Sequence, residues 1–429
     1  MTWENLYQER VTTAEAALMN IRDNQRVVIG HACAEPGYLV DEMIRLKEHF
    51  HNIEIVHMVP MGKCEYCQPE MIGHFRHNAL FAGGPTRNAV AAGYADFTPV
   101  YFSEVPKLFE KYLPVDVALI MVTPPDKNGK VSLGLSVDYT KAAVEMAKLV
   151  IAQVNDQMPY TFGDGVLDVS EIDLFVEHSA PMLELKAPVI GEVEKKIGQN
   201  CASLIHDGDT LQLGIGAIPD AVLSSLKDKK NLGIHSEMFS DGVVDLVEAG
   251  IINNSKKALN PGKMVATFLM GTKKLYDFVD KNPDVLMCSV DYTNNPVIVA
   301  QNNNLVCINS CVQIDLTGQV ASESVGYKQI SGVGGQVDFV RGAAMSKDGI
   351  AIIAMPSTAA KGTSSKIVPL LNEGAAVTTN RTDVDYVITE YGIAQLKGKT
   401  LRQRAFALIK IAHPNFRDEL IVEYEKRFN

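Results

Sequence analysis

Apolar positions along this chain change period repeatedly. Short runs of consecutive or alternating apolar residues suit buried strands, and each is followed by a stretch with apolar residues every three or four positions, which suits a helix packed on a sheet. After a helix expected over 14–22, residues 26–30 carry Val27-Val28-Ile29 and predict a strand. Small residues from His31 to Gly37 then form a loop, a helix follows with the stripe Leu39, Met43, Ile44 and Leu46, and 53–58 alternates as a second strand. This is a strand, helix, strand unit of the parallel kind. Residues 115–122 read as a fully buried strand closed by a Pro124-Pro125-Asp126 turn, 139–148 as a helix and 149–154 as another buried strand. The stretch 185–193, with Lys186, Pro188 and Gly191, reads as a linker.

Beyond the linker the order of parts recurs. Val27-Val28-Ile29-Gly30 leading to Pro36 has its counterpart in Leu211-Gln212-Leu213-Gly214 leading to Pro219, and Asn52-Ile53-Glu54-Ile55 in Asn231-Leu232-Gly233-Ile234. Such self-similarity predicts two related folds. The pattern continues with a helix built on Val243, Val244, Leu246 and Val247, a strand over 264–269 and a helix over 274–279. It then predicts a strand over 297–308 broken at Asn302-Asn303-Asn304, a glycine-rich stretch over 331–336 ahead of 337–345, a buried strand over 349–355 and a charged helical tail from 401. The expected architecture is α/β: two similar open domains with mainly parallel sheets, residues 1–186 and 187–429.

A chain of 429 residues, 46% hydrophobic and 21% charged, has room for two globular domains. Its net charge of -11, with no basic cluster beyond pairs such as Lys195-Lys196, argues against a nucleic-acid partner, and the single Trp3 offers no stacking platform for bases. No apolar run is long enough for a membrane span, and the polar first ten residues do not resemble a signal peptide. Seven scattered cysteines suit reduced thiols in a cytoplasm.

Glu237 stands out within Gly233-Ile234-His235-Ser236-Glu237-Met238, just past a short apolar run, in the place that Met58 holds in the first domain. A carboxylate there sits at the carboxyl end of a strand, the edge where open parallel sheets bind ligands. The loop Gly332-Val333-Gly334-Gly335 lets backbone approach a ligand and aim N–H groups at an oxyanion or phosphate, without the spacing of a dinucleotide fingerprint. Gly214, Ile215, Gly216, Ala217 and Ile218 open a helix after a strand and suit an anionic or amide-bearing ligand. His31 and Glu35 lie in the first strand-end loop and are candidates for a substrate pocket. Cys64 and Cys67, followed by His74 and His77, are too closely spaced for a zinc finger and do not mark a thioredoxin-like helix start, so neither a metal nor a redox role is expected.

The segments 211–220, 233–238 and 332–339, with Thr389-Glu390-Tyr391-Gly392-Ile393-Ala394 and His413-Pro414, resemble the acetyl-CoA hydrolase/transferase family along nearly the whole chain. The resemblance, strongest toward its CoA-transferases for 4-hydroxybutyrate and butyrate, implies a homodimeric ping-pong enzyme. It places the family's catalytic glutamate on Glu237 and coenzyme A on 214–218, Val312, Gly335, Ala360 and Lys361. The N–H groups of Gly334 and Gly335 become candidates for stabilising an oxyanion. The expected substrates are acyl-CoA and short acids such as acetate, butyrate and 4-hydroxybutyrate, with no permanently bound cofactor. The Cys64-Glu65-Tyr66-Cys67 stretch departs from the family pattern. An acyl-CoA hydrolase would use the same glutamate with water admitted, whereas a non-catalytic binding protein would not need it.

Overall fold

The structure is a computed structural model describing residues 2–428. The chain divides into two compact units, one taking Met1–Leu185 and Val265–Thr293, the other Lys186–Met264 and Asn294–Asn429. The sequence reading keeps 187–429 unbroken; in the structure the segment Val265–Thr293 packs with the first unit.

Each unit is built on an open α/β sheet. In the first, seven strands lie in the order Leu174–Glu177, Leu149–Val154, Val117–Val122, Arg26–Ile29, Ile53–His57, Phe75–Ala79, Ala95–Phe97, every pair parallel. The six residues of Val117–Val122 are all buried, as expected for a central strand covered on both faces. The chain starts inside the sheet, winds outward to Ala95–Phe97, then returns to build the other side. The switch point therefore lies between Arg26–Ile29 and Val117–Val122.

The second unit's sheet has the order Gly233–Ile234, Thr210–Leu213, Leu305–Asn309, Ile350–Ala354, Tyr386–Thr389, Gly392–Gln395. Its pairs are parallel except the last, an antiparallel hairpin. The winding is the same, with the switch point between Thr210–Leu213 and Leu305–Asn309. The recurring sequence parts occupy equivalent places, since Val28 pairs with Val56 and Leu211 with Ile234. Asn52 and Asn231, each just ahead of the second strand, are both left-handed, at φ 52° and 57°. Asparagine tolerates that conformation better than other residues with a side chain.

Three local readings change. The expected linker over 185–193 already contains the start of a helix, Glu192–Ala202, where the Gly191 N–H donates to Glu194 Oε2 at 3.1 Å. The buried face of that helix includes Gly198, where a Cβ would stand 2.6 Å from the Ala221 carbonyl carbon and oxygen, so glycine is what allows the helix to close on Ala217–Ser224. The strand expected over 297–308 is in fact two elements. Asn295 Oδ1 accepts the Val297 N–H at 3.0 Å and starts a helix, Pro296–Val299, and only Leu305–Asn309 is a strand. An asparagine cap followed by proline at the first helical position outweighs the β-branched run Val297-Ile298-Val299. Finally, Phe75–Ala79 escapes the hydrophobic pattern because its buried His77 and Asn78 are polar; Asn78 Nδ2 donates to Glu54 Oε1 on the next strand at 2.8 Å.

Among the described residues, no helix is long and apolar enough to cross a membrane.

Candidate active site

The short strand Gly233–Ile234 delivers Glu237 to the carboxyl edge of the second sheet, and its end is pinned from several sides. Buried Lys257 donates from Nζ to the carbonyls of Ile234 at 2.7 Å and Lys263 at 2.6 Å. A Cβ on Gly233 would stand 2.5 Å from Lys257 Cγ, so glycine leaves the path of that side chain open. Asn254 Oδ1 accepts the Ile234 N–H at 2.9 Å. On the next strand, Leu213 N–H donates to Ser236 Oγ at 3.2 Å and the same hydroxyl donates to Leu213 O at 3.0 Å, while Met238 forms a backbone bridge to Leu213. Glu237 is thus flanked on both sides by residues tied to the neighbouring strand, and its own side chain is half-buried.

Its carboxylate has a defined seat. Asn294, fully buried, donates from Nδ2 to Glu237 Oε2 at 2.8 Å. A Cβ on Gly335 would fall 2.0 Å from Glu237 Oε2 and 2.3 Å from Asn294 Nδ2. Gly335 has φ -94°, which any residue adopts, so glycine is required here for space alone. Gly334 has φ 55° and needs glycine for its backbone. Helix Gln336–Met345 begins directly after Gly335 and brings the partial positive charge of its N-terminus to the same seat. Glu237 and Gly335, chosen separately from the sequence, are therefore in contact range, with Asn294 completing the set.

The expected coenzyme A residues lie along the same sheet edge. Gly214 to Ile218 follow strand Thr210–Leu213, with Ile215 exposed and Gly216 at φ 115°. Val312 follows Leu305–Asn309, and its N–H donates to Ala321 O at 2.9 Å. Ala360 and Lys361 form an exposed turn beyond Ile350–Ala354 and are both left-handed, at φ 48° and 55°, an unusual state for two successive residues that carry side chains.

His31 and Glu35 belong to the first unit. His31 is buried with Nδ1 3.0 Å from Asp138, whose carboxylate also accepts from the Ser136 hydroxyl and from the N–H and hydroxyl of Thr140. Glu35 Oε2 accepts the N–H groups of Met61 and Gly62, both at 2.9 Å. Burial pushes its carboxyl pKa up, against the pull of those two bonds. Cys64 Sγ lies 3.3 Å from the Tyr66 hydroxyl, which in turn bonds His57 Nδ1 at 2.8 Å. Burial pushes the Cys64 thiol up to about 12 and raises that of Cys67 as well, so neither supplies thiolate near neutral pH. All seven cysteines are free and buried.

Comparison with known proteins bears on this arrangement. Residues 1–184 match the acetyl-CoA hydrolase/transferase N-terminal domain and residues 271–424 the acetyl-CoA hydrolase/transferase C-terminal domain. The chain belongs to the acetyl-CoA hydrolase/transferase family. It is 65% identical over 429 residues to 4-hydroxybutyrate coenzyme A transferase of Clostridium kluyveri, covering 100% of both. It is 36% identical over 438 residues to butyryl-CoA:acetate CoA-transferase of Anaerostipes caccae, covering 99% of this chain and 98% of the relative. A crystal structure of 4-hydroxybutyrate CoA-transferase from Porphyromonas gingivalis superposes with a TM-score of 0.87 at 45% identity, covering 100% of each chain. In this member of the family, Asn294 and Lys257 are the site residues that sequence reasoning missed. Asn294-Asn295-Pro296 signals a helix start, yet nothing in the sequence says that the first asparagine reaches a carboxylate 57 positions earlier.

Proposed function

We propose that this enzyme moves coenzyme A between short-chain carboxylic acids by a ping-pong mechanism in which Glu237 carries coenzyme A as a glutamyl thioester. The observation that carries the reading is the seat of Glu237, a carboxylate bonded by Asn294 and pressed against a glycine whose missing Cβ makes room for it. CoA transfer between acids as the reaction class rests on the 65% identity to 4-hydroxybutyrate coenzyme A transferase. The acids proposed are 4-hydroxybutyrate or butyrate, exchanged with acetyl-CoA and acetate.

A Glu237 carboxylate oxygen attacks the thioester carbonyl of acyl-CoA, the carbon–sulfur bond breaks, and a mixed anhydride and CoA thiolate result. The thiolate then attacks the glutamyl carbonyl of that anhydride, which releases the free acid as its carboxylate and leaves glutamyl-CoA. A second carboxylate reverses both steps, so no net proton is consumed. Each addition places negative charge on a carbonyl oxygen, and the N–H groups of Gly334 and Gly335, beside the helix N-terminus, support the reading as its donors. One well-aimed donor contributes about 3 kcal/mol. Asn294 holds the nucleophile in one orientation, which lowers the entropy cost of attack. In this reading 214–218, Val312, Ala360 and Lys361 bind coenzyme A, whose bulk supplies binding energy remote from the reacting carbonyl.

Incubation with butyryl-CoA followed by borohydride, which reduces a glutamyl thioester to an alcohol, tests this directly. Mass spectrometry is expected to find the modification on the peptide holding Glu237 and to find none in Glu237→Gln. Turnover with Glu237 unmodified would overturn the covalent route, and acyl-CoA loss that proceeds equally fast without an acceptor acid would make the enzyme a hydrolase.

A further inference from the structure

Strand Gly233–Ile234 is an edge of the second unit's sheet, so only one of its sides pairs with a strand of that sheet. On that inner side Gly233 and His235 donate their N–H groups to Asp209 O at 2.9 Å and Leu211 O at 3.1 Å. The backbone groups of Leu232 and Ile234 therefore face outward, because successive residues of a parallel strand alternate between its two sides. At Leu232 the outer side is served by backbone: its N–H donates to Ile251 O at 2.9 Å, and its carbonyl accepts from the N–H groups of Asn253 and Asn254 at 3.1 and 3.0 Å. At Ile234 side chains of the same loop take over. The Ile234 N–H goes to Asn254 Oδ1 and the Ile234 carbonyl to the Lys257 ammonium.

An ammonium is a costly choice for that task. Lys257 is 4% exposed and, among the described residues, no other lysine is buried. Burying a charge costs far more than burying a neutral amide, which would also satisfy a carbonyl. The strand even gives up a side chain to admit it, since a Cβ on Gly233 would stand 2.5 Å from Lys257 Cγ and 2.9 Å from Cδ. In return the ammonium reaches two carbonyls of separate segments, Ile234 O at 2.7 Å and Lys263 O at 2.6 Å. Such charge-assisted bonds are about twice as strong as neutral ones. The residue so held stands three positions before Glu237.

We infer that Lys257 is a positioning residue for coenzyme A transfer, and that its ammonium fixes the strand end from which Glu237 reaches its seat. The inference rests on the reading of Glu237 as the nucleophile. Asn294 and Gly335 hold the carboxylate itself, the one by a bond of 2.8 Å and the other by leaving out a Cβ. Lys257 holds the backbone behind it. Both ends of the glutamate must be fixed, because a displacement of about 1 Å at a reacting group costs on the order of 100-fold in rate.

Lys257→Met keeps the length of the stem and removes the donors. With butyryl-CoA and acetate, well below the melting temperature, it is expected to lower kcat by about 30-fold or more and to keep KM within about threefold of the parent. A double-mutant cycle with Asn294→Ala separates positioning from mere stabilisation. If Lys257 acts through the seat, Asn294→Ala is expected to cost less than about threefold in the Lys257→Met background, because the carboxylate has already left Asn294. A residue that only stabilises the fold would leave the Asn294→Ala effect at its parental size. Gly233→Ala, which keeps every donor and displaces the Lys257 stem, is expected to lower kcat in the same way and decides alone should Lys257→Met fail to fold. A parent-like kcat in either variant, or an Asn294→Ala effect of the same size in both backgrounds, would sink this inference alone. Turnover by the parent with no borohydride-trapped modification at Glu237 would sink the nucleophile reading and this inference with it.

Discussion

At the scale of single residues, one missing methyl group decides whether the site exists. Gly335 adopts a backbone conformation open to any residue, so its replacement by alanine strains nothing locally and acts only through the 2.0 Å approach of the new Cβ to Glu237 Oε2. Gly335→Ala is therefore expected to lower kcat by about 100-fold or more, some 3 kcal/mol, because the carboxylate must leave its seat. Its melting temperature should stay close to that of the parent. Steady-state kinetics beside a thermal melt checks this, and a parent-like kcat would show that Glu237 reacts from another position. Asn294→Ala removes the bond without the clash and is expected to cost less, about tenfold in kcat, with a smaller effect on KM.

At the scale of elements, the helix Pro296–Val299 shows how a cap overrides propensity. Residues 297–299 are all β-branched, yet the Asn295 side chain accepts the Val297 N–H and proline occupies the first helical position. Asn295→Ala is expected to lower stability by about 1 kcal/mol. It should also lower activity, since Asn294 is the adjoining residue. Urea unfolding followed by circular dichroism gives the first quantity, and an unchanged midpoint would mean that packing alone holds the turn. The same scale explains what a hydrophobic pattern can show. Val117–Val122 is legible because a strand buried on both faces is apolar throughout. Phe75–Ala79 is not, because His77 and Asn78 are buried through hydrogen bonds to the neighbouring strand Ile53–His57: His77 Nδ1 lies 3.0 Å from Ile55 O, and Asn78 bonds Glu54.

At the scale of the whole molecule, two buried histidines work against the fold in acid. Burial lowers the pKa of His77 to about 4 and that of His57 well below the usual histidine range. Both are depressed on folding, so the unfolded chain binds more protons than the folded one below about pH 6.5. Their contribution is complete above that pH. It is lost as pH falls from about 6.5 toward 4, by about 1.4 kcal/mol per pH unit for each histidine. Urea titrations at pH 7, 6 and 5 are expected to show falling stability, with a shallower slope for His77→Gln. Equal slopes in the two proteins would mean that His77 takes up its proton without unfolding.

The sequence by itself determined the repeated strand, helix, strand order, the α/β class, the family and the choice of Glu237 and the glycine loops, because each of these is written in local spacing and residue type. Periodicity, turn chemistry and motif order need no knowledge of what lies across the sheet. Only the tertiary structure decided that Asn294 holds Glu237, that Gly335 is glycine for space and not for backbone freedom, that Lys257 pins the strand end, and that Glu35 accepts the N–H groups of Met61 and Gly62. These relations join positions tens of residues apart through contacts of a few ångströms. Their strength depends on burial and distance, which a linear pattern does not contain.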